Sequence, residues 1–238
     1  MTSQVARRFG AIATHMAKPF AHLTGNGSHL HFSLWDQTEK TNLFRDDKDK
    51  RGLGMSKLAY HFLGGLISHA PALTCLVAPT VNCYKRLSVG ELLTGGSSGF
   101  SWTPACISYG GNNRTQMFRA PESGRFECRT VSGAVNPYLG IAAFITAGLD
   151  GVRKKIDPGE PNTTNLYDLT LEEIAQRNLR FIPQSLDEAL GEFEKDEVMQ
   201  SSLGPALTNE FLQVKKREWI QYHSRISRWE EEEYLTRF

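Results

Sequence analysis

The stretch Thr24-Gly25-Asn26-Gly27-Ser28-His29-Leu30-His31-Phe32-Ser33-Leu34-Trp35 passes from a glycine-rich turn into alternating polar and apolar residues. Read as a strand, it places His29, His31 and Ser33 on one face and Leu30, Phe32 and Leu34 on the other. Two imidazoles and a hydroxyl suit a divalent cation and phosphate oxygens, although an ordinary strand with surface histidines has the same pattern. Arg125-Phe126-Glu127-Cys128-Arg129 alternates in the same way, with Arg125, Glu127 and Arg129 sharing a face. A carboxylate between two guanidinium groups is either an ion-pair ladder across strands or a metal ligand flanked by two anion clamps.

These side chains need elements to hold them. A helix is expected over about Ser3 to Met16, with Val5, Phe9 and Ile12 on one side, then strand-like pieces at Thr14 to Lys18 and His29 to Trp35. Asp36 to Gly54 is charged and turn-rich, and reads as an exposed loop. Ser56 opens a helix in which Leu58, Phe62 and Leu66 recur at helical spacing, and Pro71 ends or closely follows it. Leu73 to Thr80 reads as a short buried segment, and Gly90 to Gly99 as a Gly/Ser-rich loop. Trp102 to Arg129 supplies two or three strands. Asn136 is the N-cap and Pro137 the first turn of a helix reaching about Lys155, with Leu139, Ala142, Ala143, Ile145 and Leu149 as its core face. Thr170 with Glu173 and Ser185 with Glu188 have capping-box spacing. The pattern is α+β, mainly antiparallel strands followed by helices, in one unit.

Composition narrows the class. The 238 residues carry 27 basic and 26 acidic side chains, a net charge of +1, with no Lys/Arg run that would supply a basic patch. That argues against a nucleic-acid partner, and the singly placed arginines suit a small anionic substrate. Cys75, Cys83, Cys106 and Cys128 show no CxxC spacing, which fits reduced thiols. No apolar run is long enough to span a membrane, and the N-terminus lacks a signal-peptide core, so a cytoplasmic protein is expected.

Between the two strands lie Asn82-Cys83-Tyr84-Lys85-Arg86-Leu87 and Gly111-Asn112-Asn113-Arg114-Thr115-Gln116-Met117-Phe118-Arg119. Beyond them come Asn136-Pro137-Tyr138-Leu139, Ala147-Gly148-Leu149-Asp150-Gly151, Pro158-Gly159-Glu160 and Asn165-Leu166-Tyr167-Asp168-Leu169. In this order the motifs resemble the C-terminal part of the catalytic domain of the glutamine synthetases, over nearly the whole chain. The end of the chain, Glu218-Trp219 through Tyr234-Leu235, is most similar to the bacterial type III-like branch.

The resemblance implies an ATP-dependent ligase that phosphorylates the side-chain carboxylate of glutamate and displaces the phosphate with ammonia or a small amine. It implies Mg2+ or Mn2+ held by His29 and Glu127, and a nucleotide met by His31, Ser33 and Arg125. Gly25, Arg86 and Arg129 fall on glutamate-binding positions. Arg114 and Arg119 fall on positions around the transferred phosphoryl group, and Glu91 on a flap carboxylate over the amine. It also implies a glutamine synthetase/guanido-kinase-like antiparallel β-barrel with flanking helices, of which residues 1–238 are the C-terminal portion. The N-terminal β-grasp domain and the first half of the catalytic domain are then absent, as are most carboxylate ligands of a metal pair. The isolated chain is accordingly expected to be inactive, and the complete protein to be a homo-oligomer. A catalytically inactive family member with a structural or regulatory role is the alternative. A metal-dependent amidohydrolase built on His29-x-His31 fits the arginine clustering poorly.

The chain departs from the family pattern in places. Counted back from His29, the family's Asn-Gly pair falls on Thr24-Gly25, while Asn26-Gly27 lies nearer. Ser88-Val89-Gly90-Glu91 stands in place of Pro-Gly-x-Glu, which leaves Glu91 one residue short of the family's register and both ammonia and a small amine open as the acceptor. The segment between Arg119 and Arg125 is short and lacks a lysine that bacterial relatives use. Tyr167 sits in a motif that resembles an adenylylation loop.

Overall fold

The computed structural model describes residues 2–90 and 103–238. Glu91, the expected flap carboxylate, and most of the Gly/Ser-rich loop therefore lie outside the described residues.

The first helix, α1 (Thr2–Arg8), is half as long as its apolar pattern suggests. Gly10, at φ 67°, follows it in the left-handed conformation that commonly ends helices. Phe9 and Ile12 are then 82% and 94% exposed, with no core to hold a longer helix. Residues 14–18 are not a strand. They form an irregular segment tied down by reciprocal hydrogen bonds between the Lys18 backbone and the Asn82 side chain.

Strand β1 (Leu30–Phe32) is the short histidine-bearing strand. The loop after it is charged outside but not wholly exposed, because Phe44 and Met55 are buried. Asp49 organises it by accepting from the Leu53 and Met55 N–H groups and from the Tyr60 hydroxyl. Helix α2 (Lys57–Ser68) starts at Ser56, whose side chain accepts from the Ala59 N–H. Pro71 does not stop the chain. It lies in the first turn of α3 (Ala70–Val77), a buried helix where a short buried segment is expected from the sequence. The six-residue α4 (Val81–Arg86) follows.

Four strands come next: β2 (Cys106–Ile107), β3 (Tyr109–Gly110), β4 (Phe118–Glu122) and β5 (Arg125–Cys128). One sheet has the order β1-β5-β4-β3, and β2 pairs with the later β6 (Arg180–Phe181). The expectation of antiparallel strands holds for β1/β5, β4/β5 and β2/β6, but β3 and β4 run parallel. Among the described residues these sheets do not close into a barrel.

Helix α5 (Pro137–Lys154) is capped by Asn136, which accepts from the Tyr138 and Leu139 N–H groups. Its buried face is only partly the predicted one: Ala143 is buried and Leu139 packs against the core. Ile145 and Leu149 are exposed, and the inward residues are Gly140, Ala143, Phe144, Ala147, Gly148 and Gly151. A close crossing with α2 explains the difference. A Cβ on Gly65 would overlap the Ala147 carbonyl and stand 2.7 Å from the Gly151 nitrogen, so the helices meet backbone to backbone. Bulky side chains are excluded from such a contact.

A 3-10 turn at Leu166–Asp168 leads to α6 (Leu171–Gln176), whose Thr170–Glu173 capping box is complete. The second predicted box is half formed. Ser185 caps α7 (Leu186–Lys195), but Glu188 accepts from the Gln184 N–H instead of from the cap residue. Helices α8 (Glu197–Ser201), α9 (Pro205–His223) and α10 (Arg228–Tyr234) complete the chain. At the corner between α7 and α8, Asp196 lies 2.6 Å from Nδ1 of His69. Nε2 of the same ring lies 3.0 Å from Asp150 on α5, which also pairs with Lys154 at 2.9 Å.

Behind the sheet, Phe32 and Phe126 pack with Phe44, Phe62 and Phe144, with neighbouring ring centroids 5.4–6.2 Å apart. This aromatic layer joins both site strands to the loop, α2 and α5.

Candidate functional site

Pairing of β1 with β5 sets His31 opposite Glu127, with Leu30 opposite Cys128 and Phe32 opposite Phe126. The inward residues of both strands enter the core, so the polar residues are presented from a fixed backing. Alternation in β1 is shorter than predicted: the strand ends at Phe32, and Leu34 and Trp35 are exposed. Ser33 is exposed just beyond it and accepts a hydrogen bond from the Trp35 indole at 3.0 Å.

Glu127 is the centre of the site and is almost fully buried. Its Oε1 accepts from Arg119 and from Arg129, each at 2.8 Å. Its Oε2 faces the histidines, 3.2 Å from Nε2 of His31 and 3.9 Å from Nδ1 of His29. The two alternatives open for Arg125–Arg129 therefore coexist: one carboxylate oxygen is in an ion-pair cluster and the other is turned to the imidazoles. Arg125 takes less part in this cluster. It pairs with Glu122 at 2.9 Å and reaches Nδ1 of His31 at 3.3 Å.

Ligand atoms of His29, His31 and Glu127 all lie within 4.8 Å of one another, the only such group found among the described residues. Two imidazole nitrogens and one carboxylate oxygen are a donor set that divalent cations accept, Mn2+ more readily than Mg2+. The protonation states of His29 and Glu127 are compatible. Burial, and then the Arg129 charge, lower the pKa of His29 against the opposing pull of Glu127, which favours the neutral ring. For Glu127, burial is the largest single influence and acts upward. The Arg129 hydrogen bond and the Arg119 and Arg129 charges together outweigh it and hold the carboxyl below its usual range.

Arg86 lies beneath the site rather than on its open side. Its guanidinium donates to the carbonyls of Arg129 (3.4 Å), Thr130 (2.6 Å) and Val131 (3.1 Å), and burial pulls its pKa down to about 10. Gly25 and Gly27 are needed against it. A Cβ on Gly25 would come within 2.7 Å of Arg86 Cγ and of the Ala17 carbonyl, and one on Gly27 within 2.8 Å of Arg86 Nη1. The Val131 carbonyl also accepts from the Ser28 N–H at 2.9 Å, so the turn leading to His29 is anchored on the same atom as Arg86.

Of the predicted residues, His29, His31, Glu127, Arg119 and Arg129 converge directly. Gly25 and Arg86 support them from below. The Arg114 side chain is exposed, while its carbonyl accepts from Nε of Arg129 at 3.0 Å. The sequence reading assigns no role to Asn112, whose Oδ1 accepts from Nε of Arg119 at 3.0 Å. Its place in the Gly111–Arg119 motif was the available signal. Tyr167 donates its hydroxyl to the Thr103 carbonyl at 2.6 Å.

Chemically this is a cation-and-anion site: a buried carboxylate with two imidazoles on one oxygen and two guanidinium groups on the other, on an α+β scaffold. Comparison with known proteins places it. The family model described as glutamine synthetase, catalytic domain, matches residues 1–234, and the chain belongs to that family. It is 48% identical over 236 residues to a glutamate–methylamine ligase of Methyloversatilis universalis, covering 99% of this chain and 52% of the relative. It is 41% identical over 237 residues to a glutamine synthetase of Rhizobium meliloti, covering 99% and 52%. Among solved structures, a GmaS/ADP complex matches with TM-score 0.86 and 45% identity, over 98% of this chain and 51% of that one. Ligand-free GmaS matches with TM-score 0.81 and 42% identity, over 98% and 50%. The chain thus spans about half the length of the relatives it matches. Among the described residues, no helix is long and apolar enough to cross a membrane.

Proposed function

We propose that this chain is the C-terminal portion of the catalytic domain of an ATP-dependent ligase that joins ammonia or a small amine to the side-chain carboxylate of glutamate. The observation that carries the reading is the division of Glu127 between imidazoles and guanidinium groups, in a chain of this family. His29, His31 and Glu127 are the residues to hold a divalent ion, Mg2+ or Mn2+, which when bound neutralises charge on nucleotide phosphates. Arg119, anchored by Asn112, and the exposed Arg114 lie on the open side, where guanidinium groups stabilise charge developing on a transferred phosphoryl group. Ser33 and Arg125, at the outer end of the two strands, border the nucleotide. Arg129 and the Gly25 turn border glutamate, with Arg86 beneath them. The methylamine ligase is the more similar of the two relatives described above, which favours a small alkylamine beside ammonia as the acceptor. The short sheet belongs, on this reading, to a larger β-barrel, and the working protein is an oligomer in the cytoplasm.

The chain spans about half the length of its relatives, and on this reading it binds metal by itself without turnover. Titration of the purified chain with Mn2+, followed by electron paramagnetic resonance, tests this. Binding is expected in the native chain and loss of at least tenfold in affinity in Glu127→Gln, which removes the anionic ligand. Equal Mn2+ affinity in the two proteins refutes the metal site. ATP- and glutamate-dependent amide formation by the chain alone, with ammonia or methylamine, refutes its inactivity.

A further inference from the structure

Helix α4 carries Arg86, yet its own sequence starts it poorly. Thr80 occupies the N-cap position without making a side-chain cap. The missing acceptor comes from far along the chain: Oε1 of Glu218, on α9, accepts from the Val81 N–H at 3.1 Å. The other oxygen of Glu218 is held by Lys215 at 2.8 Å, in a pair with side chains only 17% and 30% exposed. One turn further along α9, Tyr222 lies under the Lys85 ammonium, 5.4 Å from the ring centroid. Trp219, packed against the core between them, stacks on His223 at 5.3 Å. A carboxylate at a helix N-terminus meets both the unsatisfied N–H groups and the positive end of the helix dipole.

The other end of α4 reaches the site. Arg86 is its last residue and holds the carbonyls of residues 129–131, which directly follow Glu127 and Cys128. Through the Val131 carbonyl it shares an anchor with Ser28, beside His29. Asn82, in the first turn, grips the Lys18 backbone, and the neighbouring Ala17 carbonyl receives the Asn26 N–H at 2.7 Å. The short helix therefore underlies both histidine and carboxylate strands, and α9 fixes where it starts.

We propose that Glu218 is a positioning residue: held by Lys215, it sets the start of α4 and thereby the placement of Arg86 beneath the His29, His31 and Glu127 site. The inference deepens the proposed function, since it matters to catalysis only if that site is the working one. Glu218 touches none of the reacting groups. It acts through α4.

The test uses the 238-residue chain with Glu218→Ala and Glu218→Gln, and Thr170→Ala as a control that removes the capping box of helix α6. Amide hydrogen exchange is followed over residues 81–87 and 127–132, and Mn2+ affinity is measured on the same samples. Glu218→Ala is expected to speed exchange about tenfold in both segments, the loss of one charge-assisted hydrogen bond, and to weaken Mn2+ several-fold. Glu218→Gln, which keeps an acceptor for the Val81 N–H, restores most of both. Thr170→Ala changes neither at a comparable loss of melting temperature. Faster exchange confined to residues 81–84 with unchanged Mn2+ affinity overturns the proposal, as does an equal effect of Thr170→Ala. Should Glu218→Ala fail to fold, Glu218→Gln and Lys215→Met carry the comparison. Absence of Mn2+ binding in the native chain refutes the metal site, and exchange over residues 127–132 then decides on Glu218 by itself.

Discussion

Replacing His69 with glutamine removes a charge that ties three parts of the helical layer together. The imidazole sits between Asp196 at 2.6 Å and Asp150 at 3.0 Å, and its side chain is 10% exposed. Charge-assisted hydrogen bonds contribute roughly 1.5–3 kcal/mol each. Glutamine keeps a neutral bond to one aspartate, and Asp150 keeps Lys154, so the net loss is about 3 kcal/mol. At roughly 2–4 °C per kcal/mol for a domain of this size, the melting temperature falls by about 6–12 °C.

The pH dependence has a definite sign. The Asp196 hydrogen bond, working against burial and aided by Asp150, raises the pKa of His69 above 6.5, so folding favours the charged ring. Its contribution is complete below about pH 6.5 and is lost as pH rises through the folded-state value. The groups facing the ring are Asp150 and Lys154 from α5 and Asp196 from the α7–α8 corner. Arg180, Glu192, Lys195 and Glu197 line the open cleft next to Asp196. Melting curves of the native chain and His69→Gln from about pH 5.5 to 9 measure the gap directly. It should be widest at the acid end. A gap that is constant, or that widens with pH, refutes the assignment of a charged bridge.

Gly65→Ala places a methyl group into the backbone of α5 and should cost about 3 kcal/mol or more by forcing the helices apart, read as a fall in the urea midpoint; a change under about 0.5 kcal/mol refutes the tight crossing. Asn136→Ala removes the cap of α5 and should cost about 1 kcal/mol, with exchange quickened at the Tyr138 and Leu139 amides and not elsewhere.

Local chemistry was the legible part of the sequence. Ser56, Asn136 with Pro137, and Thr170 with Glu173 name their helix starts because a cap needs only a few neighbouring residues. The polar faces of β1 and β5 were legible as well, since alternation fixes which side chains go together. What failed depended on distant partners. Leu73–Val77 is buried as expected, but its helical form was not legible, because a brief apolar run has no period that separates strand from helix. The inner face of α5 was read rightly at Leu139 and Ala143 but misjudged at Ile145 and Leu149, because Gly65 on another helix, not its own bulky residues, decides what fits. His31 beside Glu127 follows from strand register, and Glu218 at Val81 from a tertiary contact. Neither leaves a local mark.

The aromatic layer has a consequence for how the protein is made. Leu30 pairs with Cys128, and Phe32 shares its cluster with Phe126 and Phe144. Phe44 and Phe62 follow soon after β1, but its pairing strand does not: the histidine strand leaves the ribosome about a hundred residues ahead of β5. At roughly 5–20 residues per second it waits some 5–20 s, presenting two unpaired edges. Its three residues are short, and a charged, turn-rich loop follows them directly. A strand so brief offers little for a neighbouring nascent chain to pair with, so brevity itself guards the site until α5 arrives.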